Sequence, residues 1–272
     1  ESLPADRFPQ FRSAQAGGYA GVVNPYAPHS GTGMAAATHA DGDWRRLTRT
    51  IDLTQVSAAD APQLKAALNW HTERGYDHAV LEARTAGGDD WTTLPEAGGL
   101  TRSQVPADCA AGFFVNAHPF LRRYLTLEGG GCTAQGSSGA WHSLTGSSDG
   151  WQQASFDLSA YAGRTVEVSL SYVTDASEGG RGVFADDVRL SVGGVDQTTE
   201  GFEASLGNWT AAGAPVGSAE VPGDWARSGE LFRSYASVTT RDTVLLGFGL
   251  EHVREPADRA LLVGKALRAL NR

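Results

Sequence analysis

Five acidic residues, Glu73, Asp77, Asp186, Asp187 and Glu203, fall where turns and strand ends are expected, and their chemistry is the most usable in this sequence. Carboxylates so placed offer the hard oxygen ligands of which a Ca²⁺ ion takes six to eight; otherwise they cap turns or pair with arginines. Two other spellings invite chemistry and fail on context. His252-Val253-Arg254-Glu255 opens a His-x-x-Glu zinc site, but only 17 residues follow Glu255 and none is histidine. Three protein ligands with one open position are not completed, so no zinc is expected in this chain. Gly146-Ser147-Ser148-Asp149-Gly150 spells a nucleophile elbow, which needs a buried strand before the serine and a helix after it. A Gly/Ser loop precedes this serine and a strand-like run from Trp151 follows, so a solvated turn is expected and no catalytic residue is assigned. Cys109 and Cys132, the only cysteines, lie in Gly-rich loop sequence. They read as one disulfide of an exported protein, the alternative being two free thiols. Trp141 and Trp225 sit in loop sequence as candidate exposed rings for stacking a ligand.

The elements that must position these residues are mostly short strands. Leu47–Leu53 alternates apolar and polar residues, His78–Thr85 reads as a strand, and a turn at Ala86–Asp90 returns the chain through Trp91–Leu94. Gln63–Trp70 could be a helical turn, but Pro62 and the strand-like flanks favour a strand. Strands resume at Trp151–Leu158, Val166–Val173 and Val183–Val192, after a loop-rich insertion over 98–140 that carries both cysteines. Many short strands without intervening helices indicate a β-sandwich or jelly roll over 35–195. Residues 1–34 form an irregular arm that Phe8, Phe11, Tyr19 and Tyr26 could pin to a surface, and 196–240 reads as an extended linker or strand segment. The end differs: Thr243–Leu250 is a nearly continuous apolar run, as in a strand buried on both faces of a parallel sheet. Pro256 then starts a helix to Asn271 with Ala260, Val263, Leu267 and Leu270 on one stripe. The fold class expected is mainly β, with a C-terminal strand–helix unit, over 241–272, belonging to an α/β domain whose remainder lies elsewhere.

Composition narrows the partners. Twenty-two basic residues against 31 acidic ones give a net charge of −9, which argues against nucleic acid, whose phosphates demand a basic stripe, and against an anionic membrane surface. No apolar stretch approaches the ~20 residues that span a bilayer. Thirty-four glycines and eleven prolines suit many turns. The chain opens at Glu1 without a signal peptide, which fits removal of a leader or of a longer preceding region.

Several spellings together resemble a known family. Asp43-Trp44, Trp70-His71-Thr72-Glu73, Tyr76–Ala83, Asp89–Pro95, Gly150-Trp151, Phe156–Gly163 and Val183–Val188 are similar, in order and spacing, to the jelly-roll accessory domain of the immune inhibitor A type, a distant relative of MAM domains. The flanking Phe8–Phe11, His118–Leu121, Phe202-Glu203, Leu206–Trp209 and Gly247–Glu251 resemble the C-terminal region of large secreted actinobacterial zinc carboxypeptidases of the carboxypeptidase-A type. Gly247–Glu251 and its helix also resemble the end of a glutamine-amidotransferase-like fold into which the jelly roll is inserted. The resemblance implies a secreted, non-catalytic accessory segment whose partners are the remainder of a larger peptidase or another polypeptide, with a protein or glycan as substrate. It also implies a structural Ca²⁺ between the first strand region and the closing Asp-Asp strand, held by Asp187 with some of Glu73, Asp77, Asp186 and Glu203. A lectin-like sugar-binding module is the alternative, or a hydrolase whose site assembles from loops.

Overall fold

A computed structural model describes residues 27–218, 223–229, 237–239, 244–246, 249–250, 253 and 255–270. The chain forms two compact units, one over 28–229 and one that includes 230–272. Phe8, Phe11, Tyr19 and Tyr26 of the expected arm lie outside the described residues.

The larger unit is a β-sandwich. Its strands are β1 (Met34–Ala37), β2 (Trp44–Asp52), β3 (Gln63–His71), β4 (His78–Thr85), β5 (Thr92–Thr93), β6 (Thr126–Glu128), β7 (Gly131–Thr133), β8 (Gln152–Asp157), β9 (Thr165–Val173), β10 (Gly182–Val192), β11 (Val195–Asp196), β12 (Thr210–Ala211) and β13 (Ala226–Ser228). One sheet runs β13-β1-β10-β3-β8, with β11 also on β10; the other runs β12-β2-β9-β4-β5. Every pairing is antiparallel. The segment expected to be an extended linker or strand supplies an edge strand to each sheet, β12 beside β2 and β13 beside β1. Runs of two or three residues are too short to show alternation, so these edges leave no periodic trace in the sequence.

The period of two decides the core. Leu64, Ala66, Leu68 and Trp70 of β3 face Val166, Val168, Leu170 and Tyr172 of β9 across the sandwich, with Leu81, Leu47 and Phe156 around them. The opposite face of the β2-β9-β4 sheet is buried as well. Residues 98–140 fold over it, and Trp44, Val80 and Val173 pack there with Phe114, Leu121, Tyr124 and Trp141. β4 is therefore covered on both faces, and its first six residues are all buried. A five-residue helix, α1 (Phe113–Ala117), and the β6–β7 hairpin lie in this insertion. The Cys109–Cys132 disulfide closes it, with Cα atoms 5.9 Å apart.

A bulge breaks the alternation of β10. Asp186 pairs with Ala67 and Arg189 with Lys65, so β10 advances three residues while β3 advances two. The extra residue sits at Asp187, whose φ is +49°. Inward positions shift from Val183 and Ala185 to Val188. Asp186 and Asp187 are thereby turned out of the inter-sheet core together.

In the second unit, β14 (Ser237–Thr239) and β15 (Val244–Leu246) pair antiparallel, and α2 (Pro256–Leu270) follows. Among the described residues β15 pairs with β14, and this pairing is antiparallel. Proline begins α2 as expected, because its missing N–H has no partner at a helix start anyway. Leu262 is buried on this helix, whereas Val263, Leu267 and Leu270 of the expected stripe are 38, 56 and 40% exposed. Asn271, Phe248, His252 and Arg254 lie outside the described residues. Among the described residues no helix is long and apolar enough to cross a membrane.

Candidate functional site

The five acidic residues separate into two groups. Asp186, Asp187 and Glu203 meet beside the β10 bulge. Asp77 and Glu73 lie in the β3–β4 turn, past His71, which pairs with Gly182. Four positions of β10 separate Gly182 from Asp186, roughly 13 Å along the strand.

At the bulge, Asp186 is fully buried. Its Oδ2 accepts the backbone N–H of Ser30 at 3.0 Å and its Oδ1 that of Asp187 at 2.8 Å. Asp187 Oδ1 accepts the Ser30 hydroxyl at 2.7 Å, and His29 Nδ1 lies 2.6 Å from Oδ2. Glu203 arrives from the chain after β11. Its Oε2 accepts the N–H and the hydroxyl of Thr32, both at 2.8 Å. Three carboxylates converge on Gly201, where an added Cβ would lie 3.7 Å from Glu203 Oε1, 3.8 Å from Asp187 Oδ1 and 3.9 Å from Asp186 Oδ1. Two non-glycine residues of this site, Asp187 and Phe202 (φ +54°), hold left-handed backbone, a conformation that persists only where surrounding structure enforces it. Burial pushes the Asp186 carboxyl up to about 6, and the neighbouring charge of Asp187 acts in the same direction. The N–H and hydroxyl of Thr32 hold Glu203 below the ordinary carboxylate range. Hard oxygen donors crowded at an enforced bend are of the kind a Ca²⁺ ion takes, with further oxygens drawn from backbone carbonyls. Among the described residues, no three His, Cys, Asp or Glu side chains already stand as a metal shell.

A carboxyl whose pKa rises on folding binds its proton more tightly in the fold. Asp186 therefore favours the folded state below about pH 4, and that contribution is lost as pH rises through 6. Without metal, Asp186→Asn removes the loss. In urea unfolding, the stability of this variant relative to the unsubstituted chain should rise between pH 4 and pH 7. A difference independent of pH would show that the carboxyl is not held as described.

The second group is a buried polar layer at one end of the sandwich. Asp77, fully buried, accepts the Tyr172 hydroxyl at 3.1 Å and the Asp175 N–H at 3.2 Å, with His39 Nδ1 3.4 Å away. Burial raises its pKa to about 6. Glu73 is half-buried and its Oε2 has no hydrogen-bond partner among the described residues. Burial raises this carboxyl, and Asp175 and Glu178 add to the effect. Asp77 thus joins the strand end to the turn and takes no part in the group at the bulge.

The remaining candidates resolve by burial. Trp141 and Trp225 are 0 and 3% exposed, so neither offers a ring face to a ligand. Trp141 packs under the insertion with its indole N–H on the Gln104 carbonyl, and Trp225 lies in the inter-sheet core. Loop sequence locates the backbone, and large aromatic rings in loops still bury where a second layer covers them. Ser148 of the Gly-Ser-Ser-Asp-Gly turn donates to Asn69 Oδ1 at 2.8 Å and accepts the Trp70 N–H at 3.0 Å, and β8 follows it directly. The nucleophile-elbow geometry is absent there. His29, Ser30 and Thr32 were not legible as site residues, since they lie in sequence that reads as an irregular arm; the hydroxyl-rich His29-Ser30-Gly31-Thr32-Gly33 turn was the available signal.

Residues 125–219 match the immune inhibitor A-like MAM domain family. That span holds β6 to β12, with the bulge at Asp186 and Asp187 and with Glu203. Over 68 residues the chain is 49% identical to the pre-pro-metalloprotease PrtV of Vibrio cholerae serotype O1 strain M66-2, and equally to that of strain ATCC 39315 (El Tor Inaba N16961). Each match covers 25% of this chain and 7% of the relative. Residues 125–219 of the chain are thus similar to the immune inhibitor A-like MAM domain, and a 68-residue stretch is similar to part of a metalloprotease precursor.

Proposed function

We propose that this chain is a non-catalytic accessory segment of a secreted zinc metallopeptidase of the carboxypeptidase-A type, in which the sandwich contacts substrate or a neighbouring domain. The carrying observation is the match of residues 125–219 to the immune inhibitor A-like MAM domain, which occurs together with 49% identity to a segment of a pre-pro-metalloprotease. The disulfide supports an oxidising compartment, where such bonds persist. In this reading the second unit docks onto the remainder of the peptidase. The exposed Val263, Leu267 and Leu270 of α2 favour that arrangement, because an apolar stripe left in water is costly. The test is a zinc carboxypeptidase carrying this segment, assayed with and without residues 28–229. Cleavage of a folded protein substrate should fall about tenfold or more in kcat/KM while a blocked dipeptide is cleaved at the same rate. Equal loss on both substrates would count against an accessory role.

We propose further that Ca²⁺ binds at Asp186, Asp187 and Glu203, where it would relieve the crowding of the carboxylates and fix the β10 bulge. An ion that binds only the folded state stabilises it by about 2.7 kcal/mol at a concentration one hundred times its Kd. Adding Ca²⁺ to EGTA-treated protein should raise Tm by several degrees, and Asp187→Asn should abolish the rise. A melting temperature indifferent to Ca²⁺ would end this assignment.

A further inference from the structure

A cavity of about 170 Å³ lies beside the start of β2, lined by Asp43, Trp44, Arg45, Gly213, Ala214, Gly223 and Asp224. Its polar wall is built around an arginine that is only 5% exposed. Arg45 Nε donates to Asp43 Oδ2 at 2.5 Å, and Nη1 donates to the Thr38 carbonyl at 2.7 Å. Nη2 has no hydrogen bond among the described residues, and Gly223 stands against it: an added Cβ there would be 3.1 Å from Nη2. Across the cavity, Asp224 Oδ1 accepts the Trp225 N–H at 2.7 Å, and Oδ2 has no partner among the described residues. The wall therefore offers guanidinium donors from Arg45 on β2 and carboxylate acceptors from Asp224, two residues before β13.

We infer that this cavity is a binding site for a neutral vicinal diol, of the kind a single pyranose ring presents. Charge and hydrogen-bond sense decide the class. Two carboxylates against one guanidinium leave the wall with a formal charge of −1, which disfavours a carboxylate or phosphate ligand. An ammonium group brings donors alone, and these would oppose the unused N–H groups of Arg45. Adjacent hydroxyls accept from Arg45 and donate to Asp224 at once, satisfying both walls without adding charge. Trp44 is 1% exposed, so recognition rests on hydrogen bonds and not on ring stacking. At roughly 30 Å³ per water, the cavity of about 170 Å³ holds the volume of five to six waters, the scale of a single ring.

The test is a set of ¹⁵N spectra of the full chain, following the Arg45 Nε–H and the amides of Gly213 and Asp224. The probes are methyl α-D-mannopyranoside, methyl α-D-glucopyranoside, methyl β-D-galactopyranoside, acetate and lysine amide. At least one pyranoside should give saturable shifts at these three positions, and acetate and lysine amide none. Asp224→Asn should weaken that pyranoside about tenfold, the scale of one charge-assisted hydrogen bond. Ala214→Leu, which fills the cavity without touching a charge, should also abolish the shifts. It serves as the independent variant if Asp224→Asn does not fold. No saturable shift with any pyranoside, shifts with acetate or lysine amide instead, or undiminished binding in Ala214→Leu would each overturn the inference.

Discussion

Phe114→Ala should cost roughly 3–5 kcal/mol of stability, the range for removing a buried aromatic side chain from a packed core. Phe114 is 1% exposed, and its ring packs against His78 and His118 at centroid distances of 5.8 and 5.5 Å. His78 is fully enclosed, and burial lowers its pKa to about 4, so it remains neutral inside this layer. Beneath it, the buried Glu82 carboxylate accepts the Tyr124 hydroxyl at 2.6 Å and also that of Ser171, tying the insertion to β4 and β9. Opening the Phe114 pocket removes apolar contacts and admits water to groups whose partners are fixed. Denaturant unfolding followed by tryptophan fluorescence, with Trp44, Trp91 and Trp141 in this layer, reports the loss directly. A change below about 1 kcal/mol would mean that residues 98–140 do not form a second core.

Replacing both cysteines, as Cys109→Ala with Cys132→Ala, should cost roughly 3 kcal/mol in the chain-entropy account, for a loop closed across 23 residues. Cys109 is fully buried among the residues of the second core, whereas Cys132 sits on the exposed β6–β7 hairpin. The bond therefore anchors a surface hairpin to the interior. Thermal melts with and without reductant separate the cross-link from the side chains: reduction should lower Tm in the unsubstituted chain and leave the double variant unchanged. An equal response in both would remove the disulfide from the account.

Much of the sandwich was legible because its long strands obey the period of two. β2 and β9 alternate along their lengths, and Pro62 marked the entry to β3. The second core was not legible. Trp141, Phe114 and Leu121 lie in sequence without sustained periodicity, and their burial depends on a long-range contact with the outer face of β4. The edge strands β12 and β13 were hidden for a related reason, since an edge of two or three residues is defined by its neighbour. At the site, the Asp186-Asp187 pair was legible as chemistry, but its geometry comes from one extra residue in β10 relative to β3, a property of register. That register brings Glu203 to the pair and leaves Asp77 and Glu73 with Tyr172 and Asp175. Spacing along a chain says which carboxylates exist, and pairing says which ones meet. Arg45 and Asp224 illustrate the same point, since 179 positions separate two groups that line one cavity.

The proposed role is that this chain assists a peptidase without being one. Purified chain incubated with Zn²⁺ and a mixed set of blocked dipeptides, unfolded proteins and folded proteins tests it most directly, with release of new termini read by mass spectrometry. The account predicts no cleavage above the protein-free control, with or without 1,10-phenanthroline. Turnover that requires Zn²⁺, is abolished by the chelator and is lost on a single side-chain substitution in this chain would contradict it.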